Sequence, residues 1–170
     1  MENPRFTIAL IYDFDGTLAP GNMQEYDFIP AVGKSNKEFW SEANELAEQQ
    51  DADGVLTYMA RMIQSARSKG LSLRREAFRE SGRKVQLYRG VKEWFERINR
   101  YGEEQGIRIL HYINSSGLTE IIEGTEIAHE FRKIYACSFL YDIDGVAYWP
   151  GVAVNYTNKT QFIFKINKGV

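Results

Sequence analysis

The spacing of apolar and polar positions changes period several times along the chain. "FTIALIY", Phe6 to Tyr12, is a nearly unbroken apolar run that stops at two acids, Asp13 and Asp15. Such a run fits a parallel strand at about Thr7–Tyr12, buried on both faces. Pro20, Gly21, Pro30 and Gly33 then break the pattern, and from Ser35 the period is helical. Ser35 and Glu38 make a capping box, and Phe39, Trp40, Ala43, Leu46 and Ala47 fall on one face of the helix that follows. A second helix over about Asp53 to Lys69 carries a stripe of Val55, Leu56, Met59, Met62, Ile63 and Ala66, and Gly70 closes it. Met59 and Met62 read as core packing. A third, more charged helix begins near Ser72.

Strand and helix alternate again from Gly90. "GVKEWFERINRYGEEQG" is a helix with Val91, Trp94, Phe95, Ile98 and Tyr101 inward, "IRILHYIN" is a strand, and "SSGLTEIIEGT" opens another helix. "KIYACSFLY" is a strand, "DIDG" a turn, and a last helix runs from near Thr157 toward Lys168. This order predicts an α/β fold, a doubly wound parallel sheet with an inserted all-helical cap. Residues 1–19 and 88–170 form the α/β core, and residues 20–87 the helical insertion.

Composition narrows the function. The 170 residues suit one core with a small insertion, and 44% apolar content supports a packed interior. A net charge of -2 leaves no basic footprint for nucleic acid. Arg74, Arg75 and Arg79 read as the solvated face of a charged helix. Cys137 is the only cysteine, so no intrachain disulfide forms, and its apolar neighbours make it a core residue. No apolar run is long enough to span a membrane, and "MENPRFTIALIY" lacks a signal-peptide cleavage pattern. The expectation is a cytoplasmic protein with neither nucleic-acid nor membrane partners. His111, inside a strand, reads as packed, and His129 lies on a helix flank.

Two carboxylates one residue apart at a strand end begin on the same side. Like charges that close favour one neutral carboxyl, or a cation between them. One carboxylate can attack an electrophile such as phosphorus while the other moves protons. Gly16 permits a tight turn, and the amides around Phe14 and Asp15 can form an anion nest. Three plainer readings compete. An EF-hand loop needs a third ligand before the glycine and a helix ahead of it. A simple Asp–Gly turn does not explain the buried approach strand. The third is a helix N-cap.

"DFDGTL" resembles the first motif of the haloacid dehalogenase superfamily, most of whose members are magnesium-dependent phosphohydrolases. The resemblance implies that Asp13 is the nucleophile and Asp15 the general acid/base, with Mg2+ held by the Asp13 side chain and the Asp15 carbonyl. It also implies that Ser115, ending the next core strand, is the second motif. Its hydroxyl would bind phosphate together with Phe14, Ser116 and Gly117, the last two expected at a helix start, where an anion is favoured. Lys159 matches the third motif, a lysine that offsets phosphate charge; at a helix N-terminus it opposes the macrodipole, so an anionic partner is expected. Asp142 and Asp144 repeat the D-x-D-G spelling without a following threonine and read as a hairpin turn.

The family's fourth motif, an acidic pair beyond the lysine, has no counterpart, because no Asp or Glu follows Lys159. The resemblance therefore implies a core incomplete at its C-terminus, expected to be a truncated form with little activity (a naturally short protein is the alternative), and a sheet edge open to self-association. The helical insertion lies where the family's C1 cap lies, as in the phosphoserine-phosphatase-like branch. The expected substrate is a small phosphorylated metabolite. Gln24, Glu25 and Tyr26 follow the first loop closely enough to reach a substrate, and read rather as ordinary loop residues. A non-catalytic binding or regulatory protein of the same fold, and a phosphotransferase or phosphomutase, are the alternatives.

Overall fold

A computed structural model describes residues 6–169. Strand β1 (Phe6–Tyr12) leads through a short 3-10 turn into four helices: α1 (Phe28–Ala31), α2 (Asn36–Gln50), α3 (Gly54–Lys69) and α4 (Arg75–Gly82). Helix α5 (Val91–Glu104), strand β2 (Ile107–Leu118), helix α6 (Thr119–Gly124), strands β3 (Lys133–Tyr141) and β4 (Ala147–Val152) and helix α7 (Lys159–Lys168) follow. The sheet order is β1-β2-β3-β4. The first three strands are parallel and β4 pairs antiparallel with β3.

Local chemistry explains most boundaries. The capping box forms: the Glu38 amide donates to Ser35 Oγ, and the Ser35 amide donates to the Glu38 carboxylate. Asp53 caps α3 by accepting from the amides of Val55 and Leu56, and Gly70 ends it in a left-handed conformation. Helices cover both sheet faces. Phe95 of α5 packs on Tyr12 and His111, while Phe162 of α7 packs on Tyr135. Strand residues alternate sides, and in the β1–β2–β3 register Tyr12 and Tyr135 fall on opposite faces.

Three readings of burial need correction. Strand β1 is not buried on both faces. It is the sheet edge among the described residues, and its first four residues are exposed. An apolar run reports compatibility with burial; whether a second neighbour exists is decided elsewhere. Tyr101 is 61% exposed and Leu56 43% exposed, so neither lies inward. The helical stripe is wider than the surface that covers it. Residues 1–5 of the expected core segment lie outside the described residues.

Within 20–87 the described elements are helical, and they share one hydrophobic cluster with the sheet. Helix α4 crosses α6, with Phe78 stacked on Phe139 at 5.3 Å. Met59 and Met62 are fully buried, as is Cys137. Asp142 and Asp144 lie in the β3–β4 hairpin, where Asp142 Oδ1 accepts from the amides of Asp144 and Val146, the turn expected of them. No described helix is long and apolar enough to cross a membrane.

Candidate active site

Asp13 is the first residue past β1, at the carboxyl edge where open α/β sheets bind ligands. Phe14 is wholly buried and anchors a tight turn in which the amides of Thr17, Leu18 and Ala19 converge on its carbonyl. Gly16 makes that turn at φ +72°, a conformation that suits glycine. With Phe14 driven inward, Asp13 and Asp15 both line one cleft. The Phe14 amide donates to Asp13 Oδ1 at 2.8 Å, so in this conformation it serves its neighbour's carboxylate. Asp15 Oδ1 accepts from the Met23 amide at 2.9 Å, which ties the loop after the motif to the site.

The second strand supplies Ser115, fully buried from bulk solvent yet lining the same cleft. The expected helix start at Ser116 and Gly117 is not there. Both belong to β2, and α6 begins only at Thr119. The β2–β3 register shifts between Asn114 and Leu118, and this irregularity, rather than a helix end, shapes the segment. The Gly117 amide donates to Ser115 Oγ at 3.0 Å, and the Ser116 carbonyl accepts from Tyr58 Oη at 2.7 Å. A Cβ on Gly117 would lie 2.1 Å from Met23 Cε and 3.1 Å from Asp15 Oδ2, so glycine is what admits the loop here.

Lys159 is the first residue of α7, as the pattern suggests, and its Nζ donates to Asp13 Oδ2 at 2.7 Å. That carboxylate, 146 residues distant in sequence, supplies the negative partner that a lysine at a helix N-terminus needs. Asn114 Nδ2 donates to the Lys159 carbonyl at 2.9 Å and sets the helix start against β2. Asp13, Asp15, Ser115 and Lys159 thus meet at one end of the sheet.

Burial pushes the Asp15 carboxyl up to about 7, with the charges of Asp13 and Glu25 adding to the rise and the Met23 amide and Lys159 opposing it. A carboxyl held there can give and take a proton near neutral pH. The cleft measures about 340 Å³, within the range of small-molecule sites. Its far wall comes from residues the sequence did not mark as part of a site: Asn22, Trp40, Val55 and Tyr58. Helical spacing marks Trp40 and Val55 as stripe residues, and nothing in it separates stripe from cleft. Gln24 also lines the cleft and is buried, so it is not an ordinary loop residue. Glu25 accepts from Asn22 Nδ2 and Trp40 Nε1, each at 2.8 Å, and so holds two of the lining residues. Tyr26 donates to the Pro20 carbonyl. Among the described residues no group of three His, Cys, Asp or Glu is placed to hold a metal ion.

The sequence profile of the haloacid dehalogenase-like hydrolase family matches residues 10–156. An uncharacterized protein of Borreliella burgdorferi is 33% identical over 95% of this chain, which spans 65% of that relative's length. A HAD family hydrolase from Salmonella enterica serovar Typhi superposes on 96% of this chain and 51% of its own, with a TM-score of 0.65 at 14% identity. A phosphoserine phosphohydrolase-like protein from Francisella tularensis covers 94% of this chain and 72% of its own, with a TM-score of 0.60 at 20% identity. At those identities the two structures speak for the fold. With its mostly parallel sheet, its acid pair at the end of β1 and a family profile that spans most of its length, the chain belongs to the haloacid dehalogenase-like hydrolases.

Proposed function

We propose that this chain carries a magnesium-dependent phosphomonoester hydrolase site that works through an aspartyl-phosphate on Asp13, with residues 20–87 as a C1-type cap over it. The observation that carries the reading is the 2.7 Å contact between Lys159 Nζ and Asp13 Oδ2, at the end of a cleft also lined by Asp15 and Ser115. A nucleophilic carboxylate must meet an anionic phosphate, and a lysine on that carboxylate lowers the repulsion. Asp13 attacks phosphorus while the bond to the leaving oxygen breaks and the Asp15 carboxyl gives that oxygen its proton. Asp15, now ionised, takes a proton from the water that attacks the phosphoryl group, and this frees Asp13 and phosphate. The Ser115 hydroxyl accepts from the Gly117 amide, so its own hydrogen is available to a phosphoryl oxygen.

The donor set suits a hard cation. Asp13 and Asp15 offer oxygens, and their mutual repulsion with Glu25 favours positive charge between them. Magnesium commonly takes one or two carboxylates and fills its shell with water and phosphate. When bound it would neutralise phosphate charge. Among the described residues Asp13 and Asp15 are the acids that line the cleft, so we expect weak magnesium affinity and slow turnover of this chain.

Trapping with beryllium fluoride and magnesium, read by fluorine NMR, tests the proposal. The chain should form the adduct, Asp13→Asn should form none, and Asp15→Asn should keep it. In turnover of an aryl phosphate, Asp15→Asn should lose about 10²–10⁴-fold. An adduct on Asp13→Asn would remove Asp13 as nucleophile. No adduct on the unaltered chain at saturating magnesium would favour a binding or regulatory role.

A further inference from the structure

The cleft is one-sided in charge beyond its phosphate end. Its acidic lining residues are Asp13 and Asp15, and Glu25 stands behind them with its carboxylate on Asn22 and Trp40. Lys159 is the cation at the site and is bound to Asp13. Two cations of the neighbouring helical segment are engaged elsewhere: Lys34 and Arg61 both pair with Glu42, and Arg61 also donates to Gln64. Neither lines the cleft. The wall facing the catalytic end is Trp40, Val55 and Tyr58, with the amides of Asn22 and Gln24 beside it. Gln24 Oε1 is a buried acceptor with no hydrogen-bond partner.

From this inventory we infer that the site takes phosphomonoesters of small alcohols bearing a hydrogen-bond donor, an ammonium or a hydroxyl, and no second anionic group. The inference rests on the phosphatase reading of the same cleft. A carboxylate on the leaving group would be desolvated near the Asp13 and Glu25 carboxylates and an aromatic wall, with Lys159 already paired to Asp13 and no cation among the lining residues to receive it, a costly arrangement. An ammonium meets the field of Glu25 and the Trp40 side chain, whose aromatic ring attracts cations. A hydroxyl or ammonium also supplies a donor to the amide wall that holds Gln24, and buried acceptors left unpaired are costly.

Non-hydrolysable phosphonates read this without turnover. Calorimetry on this chain with magnesium would compare 2-aminoethylphosphonate, 2-hydroxyethylphosphonate, 2-carboxyethylphosphonate and methylphosphonate. The aminoethyl compound should bind about tenfold or more tighter than the carboxyethyl one at low salt, the scale of one partly screened charge contact, and the gap should narrow as salt is added. The hydroxyethyl compound should fall between them, which separates charge from donor as the source of preference. Glu25→Gln should shrink the ammonium preference, and Val55→Lys, which puts a cation on the wall, should raise carboxyethyl binding. Equal binding of all four, or tightest binding of the carboxyethyl compound, overturns the inference while leaving the phosphatase reading intact. If none binds, methylphosphonate included, phosphate recognition itself fails and the inference goes with it.

Discussion

Trp94, Tyr12, His111 and Asn99 form a hydrogen-bonded chain beneath the catalytic end of β1. Trp94 Nε1 donates to Tyr12 Oη, Tyr12 Oη lies 2.9 Å from His111 Nδ1, and His111 Nε2 lies 2.9 Å from Asn99 Oδ1. A neutral ring protonated on Nε2 satisfies every member: Tyr12 donates to Nδ1, and Nε2 donates to Asn99. A second ring proton on Nδ1 would face the tyrosine hydrogen. Burial holds the His111 pKa below its usual value, with Glu130 opposing weakly. At this histidine the folded state then binds fewer protons than the unfolded one. Stability is present above the ordinary histidine value of 6.5 and is lost as pH falls from there toward the lowered folded value. Burial raises the Asp15 and Glu120 carboxyls, which give the opposite slope in both proteins, so the histidine is read as the difference between them. In urea, the unfolding free energy of the unaltered chain relative to His111→Phe should fall across that window by up to about 1.4 kcal/mol per pH unit. The same slope in both proteins would place the proton elsewhere. At Gly117 the expectation is steric: Gly117→Ala must displace Met23, whose sulfur receives the Leu118 amide, and should cost about 1–3 kcal/mol in urea unfolding.

Between elements, the seam that joins the helical insertion to the sheet is drawn by two glycines. A Cβ on Gly82 of α4 would stand 2.0 Å from the Ile121 carbonyl, and one on Gly124 of α6 would stand 1.9 Å from the Arg79 carbonyl. The helices therefore cross backbone to backbone. Arg79 pairs with Glu123 at 2.7 Å across the crossing, and Arg75 approaches the buried Glu120 at 3.8 Å. Carbonyls cannot swing aside as side-chain ends do. Gly124→Ala should cost about 3 kcal/mol or more, or lift α4 from the sheet. Hydrogen exchange distinguishes these outcomes: a lifted α4 loses protection over residues 75–82 while β2 keeps it. Unchanged exchange and an unchanged melt would mean that the crossing relaxes freely.

At the scale of the molecule, the described sheet has an apolar parallel edge. Strand β1 pairs on one side only, with Phe6 68% and Ile8 43% exposed, and α7 adds Ile163 and Phe164 at 46% and 60%. Unpaired strand edges with apolar faces template further pairing. Sedimentation velocity should show association that grows with concentration, and Ile8→Lys should weaken it. Association that ignores Ile8→Lys would place the contact on another surface, such as the exposed hairpin aromatics Tyr148 and Trp149.

The sequence by itself determined the longer helices, strands β1 to β3 and the chemical half of the site, while α1 and β4 carry no local signal strong enough to mark them. Caps, turn glycines and apolar periods are local physics, so the capping box at Ser35, the Gly70 stop and the Asp142–Gly145 turn follow from residues within a few positions of each other. Asp13, Asp15, Ser115 and Lys159 were legible because a motif ties each to the end of an element. What only the tertiary structure decided is whatever depends on a partner distant in sequence. Apolar Phe6 and Ile8 do not reveal that β1 is an edge, because burial needs a second neighbour. Ser116 and Gly117 are strand rather than helix start because the register slip against β3, not local propensity, sets their backbone. Trp40, Val55 and Tyr58 became a cleft wall only when α2 and α3 packed over the catalytic end of the sheet, and a helical stripe looks the same whether it meets a core or a ligand.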